Sequence, residues 1–228
     1  RLRRQTQCRD ASLLQQVDAL AGPDCVIASS SSALLPSAIF QGFAGAERCL
    51  VAHPINPPSL IPAVELVPCP ETTDQILQQT APRMEQAGQA PLIMQAELEG
   101  FIVNRLQGAL LDEAFRLVAE GYATAEEVDI AVRDGLALRW AFMGPFETID
   151  LNAPAGVADY IARYDAMYAG LNVGGGPRTS WQGEVAQKVV ATRRARLPET
   201  DLGARAEWRD RQLMALRQHK KQAGLEKE

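Results

Sequence analysis

The chain has 228 residues, 46% hydrophobic and 22% charged, with a formal net charge of −5 and a sequence pI near 5.2. This is globular composition, enough for one large domain or two small ones, and it lacks the basic face a nucleic-acid binder needs. No apolar run reaches the roughly 18 residues of a membrane span, and the N-terminal RLRRQTQCRD lacks the apolar core of a signal peptide.

In chain order, SLLQQVDALA (12–21) carries Leu13, Leu14, Val17 and Leu20 at helical spacing, and Gly22-Pro23 ends it. CVIASSSS (25–32) reads as a short buried strand running into a serine cluster. LLPSAIFQGFAG (34–45) suggests a short helix. RCLVA and PAVELVP follow as strands about the proline-rich turn between them. Residues 74–88 form an amphipathic helix, with Ile76, Leu77, Ala81 and Met84 on its apolar face, and APLIMQAE (90–97) is another short strand. This alternation indicates an α/β layer with a mixed sheet.

After Gly100 the pattern becomes helical. FIVNRLQGALLDEAFRLVAEG reads as one long helix with Phe101, Leu106, Leu110, Phe115 and Val118 near one face and Gly121 as its stop. Thr124 and Glu127 make a capping box for the next helix, and Gly135 is expected to end it. Gly144-Pro145 opens another, GLNVGGGP (170–177) is a loop, and two helices cover WQGEVAQKVVATRRARL and LGARAEWRDRQLMALRQHKKQ. No strand signal follows residue 97, so the boundary between an α/β part and an all-α part falls near 97–100. Cys8, Cys25, Cys49 and Cys69 are scattered, with no metal-like spacing, and read as reduced thiols of a cytosolic protein. The arginine clusters 1–4 and 193–196 read as solvated helix surface.

Five places could carry chemistry. His53 ends the first strand of the pair 50–53/63–67, and Glu65 interrupts Val64-Glu65-Leu66-Val67. A lone histidine is more often structural, but antiparallel pairing about the proline turn would bring residues 53 and 65 together. An ionised glutamate in an apolar strand either faces water or needs a partner, and both readings fit Glu65. Histidine is suited to proton transfer near neutral pH, and a carboxylate on one ring nitrogen fixes its tautomer. Ser29 to Ser32 lie at a strand's carboxyl end, where open α/β sheets bind ligands, although a bare serine run is more often a polar loop. Asn104 sits among apolar helix residues. Arg139 stands alone in LALRWAFMGP, where it must reach solvent or an anion such as a carboxylate. The glycines 174–176 follow no strand and do not fit GxGxxG, and no GxxxxGK[ST], GxSxG or HExxH occurs.

SSSS (29–32), AHPINPP (52–58), VELVP (64–68), GFIVNRL (100–106) and MGPFETIDL (143–151), in this order, resemble the 3-hydroxyacyl-CoA dehydrogenase superfamily over residues 12–225. LRWAFMGPFETIDLNAPAG (138–156) and AEWRDRQLMAL (206–216) resemble its lambda-crystallin, L-gulonate 3-dehydrogenase group. The resemblance implies the C-terminal part of an NAD-binding Rossmann-like domain over 1–98 and an all-helical substrate and dimerisation domain over 99–228. It implies His53 as general acid/base, Glu65 as its orienting partner, Ser32 and Asn104 on the substrate oxygen, Ser30 and Asn56 near the nicotinamide, and Arg139 on the substrate carboxylate. NAD is the implied cofactor, a hydroxy acid the implied substrate, and a cytoplasmic homodimer the implied form. A 3-hydroxyacyl-CoA dehydrogenase and a non-catalytic crystallin-like protein are the alternatives.

The family begins with a strand, a GxGxxG turn and a helix, which these residues lack. Where it carries a glutamate and a lysine before the SLLQQ-like helix, QTQCRD stands here, with no lysine before Lys188. The expectation is an N-terminally incomplete chain with weak or no NAD binding of its own.

Overall fold

The computed structural model describes residues 13–32, 34–171 and 180–224. Cys8, the arginines at 1–4 and the glycine run at 174–176 lie outside them. The chain divides into two compact units, Arg1–Gly108 and Ala109–Glu228, with the division inside one helix.

The first unit is built on a four-stranded mixed sheet in the order β1-β2-β3-β4. A helix α1 (13–20) precedes β1 (Ile27–Ser29). Helix α2 (Pro36–Ile39), β2 (Cys49–Pro54), β3 (Ala63–Pro68), α3 (Asp74–Gln86) and β4 (Ala90–Ile93) follow. β1 and β2 run parallel, β2 and β3 antiparallel, and β3 and β4 parallel. Strand side chains alternate between faces, and that parity sorts the core into two layers. Cys49, Val51 and Val67 pack with Ile27, Ile39, Phe40, Phe43, Met94 and Phe101 on one side. Leu50, Val64 and Leu66 pack with Leu77 and Ala81 of α3 on the other. His53 is two residues beyond Val51, and Glu65 two before Val67, so parity puts both on the first face.

Helix α2 is shorter than the run 34–45 suggests. Pro36 starts it at its first turn, and Gly42 takes a left-handed φ of 79° after it, a backbone that glycine adopts without cost. β4 also stops early, its last ladder bond running from the Met94 N–H to the Leu66 carbonyl at 3.0 Å. The long helix α4 (Val103–Ala119) starts two residues later than its apolar pattern suggests. Gly100 and Phe101 have φ of 78° and 51°, which no right-handed helix accommodates. Phe101 is therefore not on the helix face. It is a fully buried member of the first unit's core.

The second unit contains the rest of α4 followed by α5 (Ala125–Ile130), α6 (Ala137–Trp140), α7 (Pro145–Asp150), α8 (Val157–Gly170), α9 (Glu184–Arg196) and α10 (Leu202–Gln222). The capping box is present: Thr124 Oγ1 accepts the Glu127 N–H, and the Glu127 carboxylate accepts the Thr124 N–H at 2.7 Å. Gly135 does not end its helix. The chain runs through a wider π-helical turn, Ala131–Leu136, into α6. Helix α8 has no counterpart in the sequence reading.

Arg193 and Arg194 are not solvated surface. Asp150, fully buried at the end of α7, accepts the Val157 N–H at 2.8 Å, Nε of Arg193 at 3.2 Å and a guanidinium N–H of Arg194. Gly156 makes room for this cluster: a Cβ there would lie 2.8 Å from Oδ1 of Asp150, at a φ of 80°. By contrast, α4, α5, α6 and α9 bury no residue completely. Phe115, Val118, Tyr122 and Trp140 remain exposed in this unit.

Candidate active site

The site in the first unit grows from the antiparallel pair β2/β3. In its register His53 lies directly opposite Glu65. Nδ1 of His53 and Oε2 of Glu65 are 2.7 Å apart. With Glu65 as a carboxylate, which only accepts, the proton between them belongs on Nδ1, and Nε2 is the nitrogen able to take another. His53 is 6% exposed and Glu65 fully buried, so of the two sequence readings for Glu65, water on one face is excluded and pairing holds.

Burying a carboxylate requires full hydrogen bonding. Oε1 of Glu65 accepts the N–H groups of Ile102 at 2.7 Å and Val103 at 3.0 Å. These are free donors at the start of α4, where the helix also presents its positive end. The Phe101 ring lies against the imidazole, 5.4 Å between centroids and tilted by 54°. Sequence reasoning missed these two N–H groups and the ring. The available signal was Gly100, the glycine that permits the sharp entry into α4.

Asn104, one residue into α4, is half-buried, and its Nδ2 donates to the Ser32 carbonyl at 2.9 Å. The serine loop is thus tied to the same helix start that holds Glu65. A second tie joins the loop's far side: the Ser37 N–H donates to Oε2 of Glu97 at 2.9 Å. Ser30 and Ser32 are exposed beyond β1, and among the described residues neither hydroxyl has a protein partner. Asn56 is exposed in the loop after β2, before a cis bond to Pro57. Free hydroxyls and an amide beyond the carboxyl ends of two parallel strands fit a cofactor's ribose and carboxamide, which need donors and acceptors rather than charge. The structure therefore brings His53, Glu65, Asn104 and Ser32 together, with Ser30 and Asn56 at the same strand ends.

Arg139 belongs to the second unit, in α6. It is half-buried and has no ion-pair partner among the described residues. Its charge acts on Tyr160, whose hydroxyl lies 3.1 Å from that of Tyr168. Burial, and then that bond, push Tyr160 up to about 12 despite the arginine. Among the described residues no His, Cys, Asp and Glu cluster could hold a metal ion, and no helix is long and apolar enough to cross a membrane.

A mixed sheet with helices on both faces, ending in a long helix and a helical region, is a Rossmann-like unit joined to an α-domain. Residues 10–97 match the family model "3-hydroxyacyl-CoA dehydrogenase, NAD binding domain", and residues 100–196 match "3-hydroxyacyl-CoA dehydrogenase, C-terminal domain". The chain belongs to the 3-hydroxyacyl-CoA dehydrogenase family.

Among its relatives, the lambda-crystallin homolog of Bos taurus is 43% identical over 212 residues, covering 92% of this chain and 66% of that protein. The chain thus spans just under two thirds of that relative's length. An L-carnitine dehydrogenase of a Pseudomonas species is 41% identical over 150 residues, 65% of this chain and 47% of that protein. Among solved structures, the NAD+-dependent dismutase 5-formyl-3-hydroxy-2-methylpyridine 4-carboxylic acid 5-dehydrogenase matches with a TM-score of 0.66 at 25% identity, covering 92% of this chain and 69% of that one. The family and the lambda-crystallin group read from the motifs are borne out.

Proposed function

We propose that the chain carries the proton-transfer half of an NAD-dependent dehydrogenase acting on a 3-hydroxy acid with a free carboxylate, of the L-gulonate type. The observation that carries this is the buried His53–Glu65 pair, with Glu65 held by two N–H groups at the start of α4.

When bound, NAD supplies the hydride acceptor. Nε2 of His53 takes the hydroxyl proton as the carbinol carbon is oxidised. Glu65 keeps Nδ1 protonated and stabilises the imidazolium that forms. The hydroxyl of Ser32 and the amide of Asn104 hold the substrate oxygen. Asn104 can do so with its amide oxygen and second amide hydrogen, because one hydrogen is engaged by the Ser32 carbonyl. Ser30 and Asn56 meet the nicotinamide end of the cofactor. Arg139 takes the substrate carboxylate, and its lack of an ion-pair partner among the described residues supports that role, since a partly buried guanidinium calls for an anion. The exposed apolar residues of the helical unit support a homodimer formed through it. The domains divide as 1–98 for cofactor and 99–228 for substrate and dimer contacts.

A hydroxyacyl thioester is the second reading, favoured by the family whose models match. Arg139 separates the two, because a thioester offers no carboxylate at that place. Turnover of L-gulonate, L-carnitine and a 3-hydroxyacyl-CoA is measured with and without Arg139→Ala in a protein that carries these residues together with a complete nucleotide-binding domain. The proposal expects use of a free acid that collapses in the variant. Undiminished thioester turnover in the variant, with no free acid used, refutes it.

A further inference from the structure

Phe101 is the only non-glycine residue with positive φ among the described residues, at 51°. A left-handed phenylalanine is a strained backbone, and such strain persists only where the surroundings over-determine it. Here they do. The side chain is 0% exposed and packs in the core layer with Val51, Val67 and Met94. Gly100, also left-handed at 78°, turns the chain into it. The two residues that follow are those that donate to Oε1 of Glu65. The ring itself lies 5.4 Å from the imidazole that Glu65 holds. Both members of the pair are thus bounded by one residue: His53 by its ring, Glu65 by the direction its backbone imposes on the next two N–H groups.

We propose that Phe101 is a positioning residue for the acid/base pair: its buried ring sets the plane of the His53 imidazole, and its anchored left-handed backbone turns the Ile102 and Val103 N–H groups onto Glu65. This rests on reading His53 as the proton acceptor, but it is read out without turnover. An apolar residue without a ring fills the same core and leaves the imidazole free to rotate. Once the anchor loosens, the backbone relaxes toward ordinary φ values and the two N–H groups swing off the carboxylate.

The experiment is nuclear magnetic resonance of the full chain, unsubstituted and as Phe101→Leu. The chain has two histidines, and His219 is exposed in α10, so the His53 ring signals separate readily. In the unsubstituted chain we expect a single His53 tautomer with an exchange-protected Nδ1–H, and a Phe101–His53 nuclear Overhauser contact. In Phe101→Leu we expect loss or broadening of the Nδ1–H signal and upfield movement of the Ile102 and Val103 amide protons. Phe101→Met, unbranched and flexible, serves if the leucine variant does not fold. A residue that only fills space would lower the melting temperature and leave all three signals in place in the folded fraction. That result overturns the proposal, as does the absence of the Overhauser contact. Full turnover in His53→Ala would instead remove the functional reading and leave these signals untouched.

Discussion

Replacing Glu65 with Gln keeps the shape of the side chain but removes its charge and one of its two acceptor oxygens. Three hydrogen bonds converge on this group: from Ile102 at 2.7 Å, from Val103 at 3.0 Å and from Nδ1 of His53 at 2.7 Å. A glutamine satisfies the two backbone donors with its oxygen and then presents its NH2 to His53. An NH2 only donates, so Nδ1 must become the acceptor and the proton moves to Nε2. That tautomer has no free nitrogen to receive a substrate proton. The stability cost is modest, because every buried group still finds a partner. The catalytic cost is that of a general base, on the order of 10²- to 10⁴-fold in kcat. The assay is steady-state turnover of the free hydroxy acid with NAD in a protein that carries these residues together with a complete nucleotide-binding domain, alongside a thermal melt to confirm folding. A folded Glu65→Gln protein within about threefold of normal kcat would refute the reasoning, because the tautomer argument leaves no route for the proton.

Other consequences lie away from the site. Asp150→Ala leaves Arg193 and Arg194 without their shared carboxylate, with side chains only 13% and 24% exposed. Because both retain some solvent, the loss should fall near the low end for a broken buried pair, about 3 kcal/mol, seen as a lower urea midpoint. Burial, and next the neighbouring Asp18 carboxylate, push the Cys49 thiol up to about 12. Iodoacetamide at neutral pH should therefore label exposed Cys25 and spare Cys49, read by peptide mapping; equal labelling contradicts it. The Thr124 N–H and hydroxyl hold the Glu127 carboxyl below its ordinary 4.5. A folded-state pKa below the unfolded one gives stability that is complete above the unfolded value and lost as pH falls through the folded value. Amide protection at the start of α5 should fall in that acid window, and Thr124→Ala, which removes the hydroxyl but keeps the N–H, should weaken that pH dependence without abolishing it.

The pairing of His53 with Glu65 was legible because two constraints act together. Strand parity puts His53 and Glu65 on one face, and the proline-rich turn fixes the register that makes them opposite. Whether Glu65 faced water was not legible, since the groups that stabilise it are backbone N–H groups 37 and 38 residues away. The start of α4 was misread for a related reason. Phe101 continues an apolar helical stripe, and only its burial in the sheet's core forces the left-handed turn. A charge run such as the arginines at 193–196 looks solvated until its partner is seen, and Asp150 lies 43 residues upstream of Arg193. Gly135 looked like a helix stop, but the chain absorbs it in a π-helical turn. Local pattern thus located the strands, most of the helices and the candidate side chains, while the non-local partners decided which residues were buried and how they were held.

The central claim is that Nε2 of His53 takes the substrate proton. The most direct measurement is turnover of the free hydroxy acid by His53→Ala in a protein that carries these residues together with a complete nucleotide-binding domain, with NAD affinity measured on the same preparation. There kcat is expected to fall roughly 10²- to 10⁴-fold while NAD affinity stays that of the unsubstituted protein. Turnover within about threefold of normal in that variant would contradict it.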